Sequence, residues 1–254
     1  MFGHKNPPMK TAFCSGSMNL LTAVSTGNYC LIPTNTAVTD YYGPGYLGHL
    51  YNSKQHLQFV RFIKGSADLP AEHLPLFLNA YVGPKEGRDG LFEPVELCTE
   101  KLAKIRAEFM KQQIYIFEIA SLYVYEKDGL QVMHELVEGV EPRKQDREEL
   151  EADIAALLAE LPADAKVVFV GPARAADATA ADATAADATV ADDADVIHSV
   201  LNAVAESSNN IKIYDPTLIL RKGGEKVYKD GKYTTMGRGL YFIMLYETCL
   251  SKFN

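Results

Sequence analysis

The chain has 254 residues, of which 47% are hydrophobic and 23% charged, with a net charge of −8 and a pI near 5.3. That is an ordinary globular composition, sized for one large domain. No Lys- or Arg-rich stripe offsets the negative charge, so a nucleic-acid footprint is missing, and no apolar run nears the roughly 20 residues that span a bilayer.

In chain order, Lys10–Cys14 reads as a short apolar first strand. The small-residue turn Ser15-Gly16-Ser17 leads into a helix over Met18–Ser25, which Gly27-Asn28 is expected to close. Tyr29–Ile32 reads as the second strand, ended by Pro33. So compact a strand–helix–strand unit favours a right-handed parallel crossover. Residues Pro33–Asn52, rich in Thr, Asn, Tyr and Gly, read as a long loop. Ser53 is expected to cap a helix over Lys54–Lys64, and Gly65 to stop it. A short segment at Leu74–Tyr81 is broken by Pro75, and a long amphipathic helix is expected over Glu93–Gln112. Ile114–Ile119 is a continuous β-type run, as in a strand buried on both faces. Lys127-Asp128-Gly129 lies between apolar segments and predicts a hairpin. An amphipathic helix over Arg147–Leu161 and a core strand over Lys166–Val170 follow.

Ala175–Thr189 is the pentad Ala-Ala-Asp-Ala-Thr written three times, and it decays through Val190–Asp195. A period of five matches neither 3.6 nor 2, so the segment presents no steady apolar face. It predicts a low-complexity surface insert at 175–195, with transient helicity from alanine. Beyond it come a helix over Val196–Glu206, a strand over Ile211–Tyr214, the corner Asp215-Pro216-Thr217 and a last helix over Met236–Leu250. This alternation predicts a single α/β domain over residues 1–254: three-layer α/β/α, Rossmann-like, with a mostly parallel five-stranded sheet in flavodoxin-like order. Ligands of such sheets bind at the carboxyl ends of the strands. The turn after Cys14, the segment after Glu118, the loop after Val170 and the loop carrying Asp230 are expected to gather there.

Two near-misses stand at that edge. The turn Gly16-Ser17-Met18 follows the first strand, and Asp230-Gly231-Lys232-Tyr233 lies near the C-terminus. Together they resemble the SGNH-hydrolase-like superfamily, which places a nucleophile in such a turn and an Asp-x-x-His pair in its C-terminal loop. The segments Ile116–Gly129, Tyr46–Leu50 and Ser53–Phe59 also resemble uncharacterised proteins of large DNA viruses of algae and amoebae. On this resemblance the nucleophile position is Met18, whose thioether cannot act, or Ser17 after a shift of one residue. The histidine position is Tyr233, a poor base at neutral pH with a reference pKa of about 10.

The resemblance therefore implies a degenerate hydrolase site lined by Ser17, Glu118, Asp230 and Tyr233. Two functions remain open. One is a glycan-related transferase, for glycosyl or acyl transfer, that takes a carbohydrate or nucleotide-sugar ligand. The other is a non-catalytic binding or structural component of a virion. Glu118, in a buried-looking strand, is either an acceptor for a neighbouring turn or a site acid. His49 and His56 are candidates for a replacement base, His198 is expected to face solvent, and Asp215 to cap a helix. Tyr41–Tyr46 offers aromatic faces for sugar stacking. The four cysteines, Cys14, Cys30, Cys98 and Cys249, form no C-x-x-C and read as reduced, mostly buried thiols. No metal and no cofactor is expected, since ligand spacing and phosphate-binding glycine motifs are missing. The N-terminus lacks the apolar core of a signal peptide. A cytoplasmic location is expected, or a virion if the chain is viral.

Overall fold

The computed structural model describes residues 10–29, 36–39, 50–77, 103, 106–133, 137–173, 185–229 and 232–253. It is a mixed α/β protein built on a parallel sheet flanked by helices. Strands β1 (Lys10–Ser15), β3 (Ile114–Glu118), β4 (Lys166–Val170) and β5 (Ile211–Tyr214) run side by side, and short β2 (Thr36–Thr39) pairs outside β1. The order is β2-β1-β3-β4-β5, with every pairing parallel. Side chains alternate across the sheet, as the period of two requires. Phe13, Tyr115, Phe117 and Phe169 enter one core, whereas Cys14, Ile114, Ile116 and Val168 enter the other. Helices α2 (Ser53–Lys64), α4 (Arg147–Ala159) and α5 (Ala185–Glu206) cover the first core. Helices α1 (Met18–Tyr29), α6 (Thr217–Gly223) and α7 (Thr235–Thr248) cover the second. A single turn, α3 (Leu74–Phe77), buries Phe77 in the first core.

Local chemistry sets several boundaries. Asp146 and Glu149 form a reciprocal capping box at the start of α4. Gly65 ends α2 at φ 80°, a left-handed conformation that suits glycine. Asp128 (φ 55°) and Gly129 (φ 77°) turn the chain between Glu126–Lys127 and Leu130–Gln131, with both φ values positive, as a tight hairpin turn needs.

Elsewhere the structure departs from the sequence-based expectations. Of the strand expected at Tyr29–Ile32, Tyr29 instead closes α1 and the rest lies outside the described residues; the edge strand is Thr36–Thr39, inside the expected loop. Gly27 does not stop α1, because it is a contact glycine. A Cβ on it would lie 2.1 Å from the Phe242 ring of α7, so its bare backbone lets the two helices approach. The cap of α2 is Asn52, whose side chain accepts from the Gln55 N–H at 2.8 Å; Ser53 is already helical. The expected helix over Glu93–Gln112 is described only at its end, where residues 106–109 are helical.

The repeat also differs from its reading as a loop. Its third pentad and its decayed tail form the first half of α5, while residues 174–184 lie outside the described residues. Alanine-rich sequence favours helix, and this stretch runs directly into the apolar period of Val196–Glu206, so no new nucleation is required. Asp193 and Ala194, in the decayed tail, are buried, and Asp193 pairs with Lys144.

Candidate functional site

The carboxyl edge of the sheet is assembled from neighbours. β1 and β3 pair so that Ser15 stands beside Phe117. The residue after each, Gly16 and Glu118, therefore meets at the rim. A Cβ on Gly16 would lie 2.7 Å from the Glu118 Cβ and 2.8 Å from its Oε2, so only glycine fits there. The Ser17 N–H donates to Glu118 Oε2 at 2.6 Å, directly before α1 begins. A helix N-terminus favours negative charge, and here the chain supplies that charge itself.

Glu118 is only 7% exposed. Burial holds its carboxyl above the ordinary range, against the opposing bonds from the Ser17 side chain and backbone. On the other face of the sheet, the Glu118 carbonyl accepts from His56 Nε2 at 2.7 Å. A carbonyl only accepts, so the imidazole proton resides on Nε2. Nδ1 is then a bare acceptor, buried and without a partner among the described residues. Burial pulls His56 down to about 4, so its ring is neutral at physiological pH. The ring stands edge-on to Phe117 at 5.4 Å.

Tyrosines fill the remaining space. Tyr233 meets Tyr228 at 5.0 Å and Tyr241 at 5.2 Å, and Tyr241 meets Tyr214 at 5.1 Å, all edge to face. Burial, then the nearby Glu118 charge, push the Tyr233 and Tyr241 phenols well above their usual value. The Tyr241 hydroxyl is buried with no partner among the described residues. Of the residues expected to line a site, Ser17 and Glu118 are therefore in direct contact, and Tyr233 lies within electrostatic reach of Glu118. Tyr233 belongs to a short antiparallel pairing of Tyr228–Lys229 with Lys232–Tyr233. Asp230, His49 and Tyr41–Tyr46 lie outside the described residues.

The expectation for His198 is corrected. It is 3% exposed and donates from Nε2 to the Pro172 carbonyl at 2.9 Å. Its ring takes the space that a Cβ on Gly171 would need, so it wedges α5 against the turn after β4. Asp215 Oδ1 accepts from the Thr217 N–H at 2.9 Å, at the first residue of α6. Cys14 and Cys249 are buried, and burial raises the Cys249 thiol to about 11. Cys30 and Cys98 lie outside the described residues. Sequence reasoning missed Tyr214 and Tyr241. Neither stands in a motif, and both sit in ordinary apolar segments.

Chemically, the described groups of this edge are engaged with one another. A backbone N–H can stabilise an oxyanion only when it is free to donate; here the Ser17 N–H is taken by Glu118. His56 is across the sheet and weakened to about 4 by burial, and Tyr233 is buried with its proton tightly held, so neither stands as a base for Ser17. Among the described residues, no three of His, Cys, Asp or Glu gather as a metal site, and no helix is long and apolar enough to cross a membrane. Two grooves open at the amino edge of the sheet. One, of about 310 Å³, lies between the start of β3 and β4 and is lined by Lys111, Gln112, Gln113, Asp164 and Lys166. The other, of about 170 Å³, is lined by Leu158, Leu161, Val167, Asn210 and Ile211. Compared with known proteins, the chain matches no family model and no curated protein significantly.

Proposed function

We propose that this chain is an SGNH-like α/β protein, of three-layer, flavodoxin-like build, with a degenerate hydrolase site, and that it serves as a non-catalytic binding or structural component. One observation carries this reading. The bond from the Ser17 N–H to Glu118 Oε2, at 2.6 Å, turns the nucleophile turn into a structural joint. An oxyanion, or the phosphate of a nucleotide sugar, would have to evict a buried carboxylate to reach the same N–H. The resemblance to proteins of large DNA viruses makes a virion or the host cytoplasm the setting of this reading. Activated phenyl esters test it. The purified chain should hydrolyse them no faster than its Ser17→Ala variant. Turnover that Ser17→Ala abolishes would overturn it.

A second reading is favoured by the raised affinity of Glu118 for its proton. A carboxyl in that state can donate a proton to a leaving group. Ser17, Glu118, Asp230 and Tyr233 would then line the pocket of a glycan-related transferase. Its substrate would be a carbohydrate or nucleotide sugar. Transfer from a nucleotide sugar or an acyl donor, lost on Glu118→Gln, would establish it in place of the first.

A further inference from the structure

The end of α6, the hairpin after it and the start of α7 form one block around Val227. Cβ atoms on Gly223 and Gly237 would both run into Val227, at 2.4 Å and 2.0 Å, so the two glycines close on it from either side. The Thr234 N–H donates to the Val227 carbonyl at 2.9 Å, and its hydroxyl donates to the Lys226 carbonyl at 2.7 Å. The outer surface of this block is unusual for this chain in two independent ways.

First, it exposes large apolar side chains. Met236 is 62% exposed and Leu240 39%. Met236 and Leu240 share one face of α7, as four-residue spacing dictates. Gly239, on the same side, has nothing within 4 Å of a would-be Cβ, which leaves the backbone open to close approach. Second, its sequence is basic. Residues 221–238 hold six Lys or Arg against two Asp or Glu, a local excess of four positive charges. The whole chain carries −8, so the remainder carries −12. Arg221, Lys226 and Lys229 are exposed and make no ion pair among the described residues, and Arg238 Nε is buried without a hydrogen-bond partner there.

We propose that this apolar, basic block is the contact surface for a second copy of the chain, which meets it with its acidic body. Charge complementarity selects that occupant. The molecule that carries the matching charge at equal concentration is the chain itself, and the exposed methionine and leucine give such a contact an apolar centre that a phosphate backbone does not require. The contact joins two different patches, so it is heterologous. It leaves each copy with a free patch of either kind, and it grows beyond dimers into a ring or a filament. The inference deepens the reading of the chain as a structural component and rests on it.

Sedimentation of the full chain across a range of concentrations tests it. Wild type should exceed its monomer mass of 28.0 kDa as concentration rises at low salt, and return to it at high salt. Met236→Asp and the double variant Lys226→Glu/Lys229→Glu should each weaken association by about tenfold or more. Lys111→Glu, on an exposed lysine at the other end of the sheet, should leave it unchanged. A chain that stays monomeric at every concentration overturns the proposal. So does association that both variants retain, or binding to anionic lipid vesicles or a DNA duplex without self-association. The ester assay is separate, so a monomeric chain without turnover would defeat this inference and leave the non-catalytic reading standing.

Discussion

The two ends of the sheet have opposite characters. At the carboxyl end, where α/β proteins bind ligands, polar groups are buried and turned on one another: Ser17 on Glu118, His56 on the Glu118 carbonyl, tyrosines stacked around them. At the amino end two grooves stand open, lined by side chains of no special chemistry. A fold places a site, but the side chains decide whether that site is free to act. Here the chain's own carboxylate occupies the N–H that starts α1 at the customary end.

The largest expected effect concerns pH at the carboxyl end. His56 is neutral in the fold and holds its proton only below about 4, whereas in the unfolded chain it takes one up near 6.5. The unfolded state therefore binds more protons between those values, and stability falls as pH falls through that window. The full shift corresponds to about 3 kcal/mol. Urea titrations from pH 7 to pH 4 should show this loss. His56→Gln, which can still donate to the Glu118 carbonyl, should flatten the profile. An unchanged slope in that variant would place the acid sensitivity elsewhere.

The next effect sets the two ends against each other directly. Gly16→Ala forces a Cβ onto the Glu118 side chain and should cost about 1–3 kcal/mol as overpacking. Gln113→Ala, on the exposed lining of the amino-end groove, should stay within about 0.5 kcal/mol. Equal losses in thermal melts would mean that the carboxyl end is no tighter than the grooved one.

The smallest effect is a gain. Glu118 holds its proton more tightly in the fold than in the unfolded chain, so its contribution is full below its unfolded value and is lost as pH rises through its folded one. Glu118→Gln keeps a carbonyl acceptor for the Ser17 N–H and removes the buried charge. At neutral pH it should melt slightly higher than wild type, and the difference should shrink on acidification. A lower melting temperature at neutral pH would show that the ionised carboxylate, supported by the start of α1, is itself stabilising. These slopes oppose those of His56, so the single and double variants together separate the two groups.

Much of the framework was legible in the amino-acid sequence because its signals are local. The β-branched and aromatic runs at Ile114–Glu118, Lys166–Val170 and Ile211–Tyr214, the stop at Gly65, the turn at Asp128-Gly129 and the amphipathic period of α4 depend on neighbours within a few residues. Tertiary structure decided the rest, through partners 26 to 215 residues away. Gly27 looked like a helix stop until Phe242 required its bare backbone. His198 looked exposed until the turn after β4 folded over it. The last pentad looked like a loop until α5 extended through it. Glu118 stood one residue past a run of apolar side chains, with nothing in its sequence surroundings to say which turn it would meet. The parallel pairing of β1 with β3 brought it to Ser17, because a sheet sets side by side residues that the chain keeps 101 positions apart.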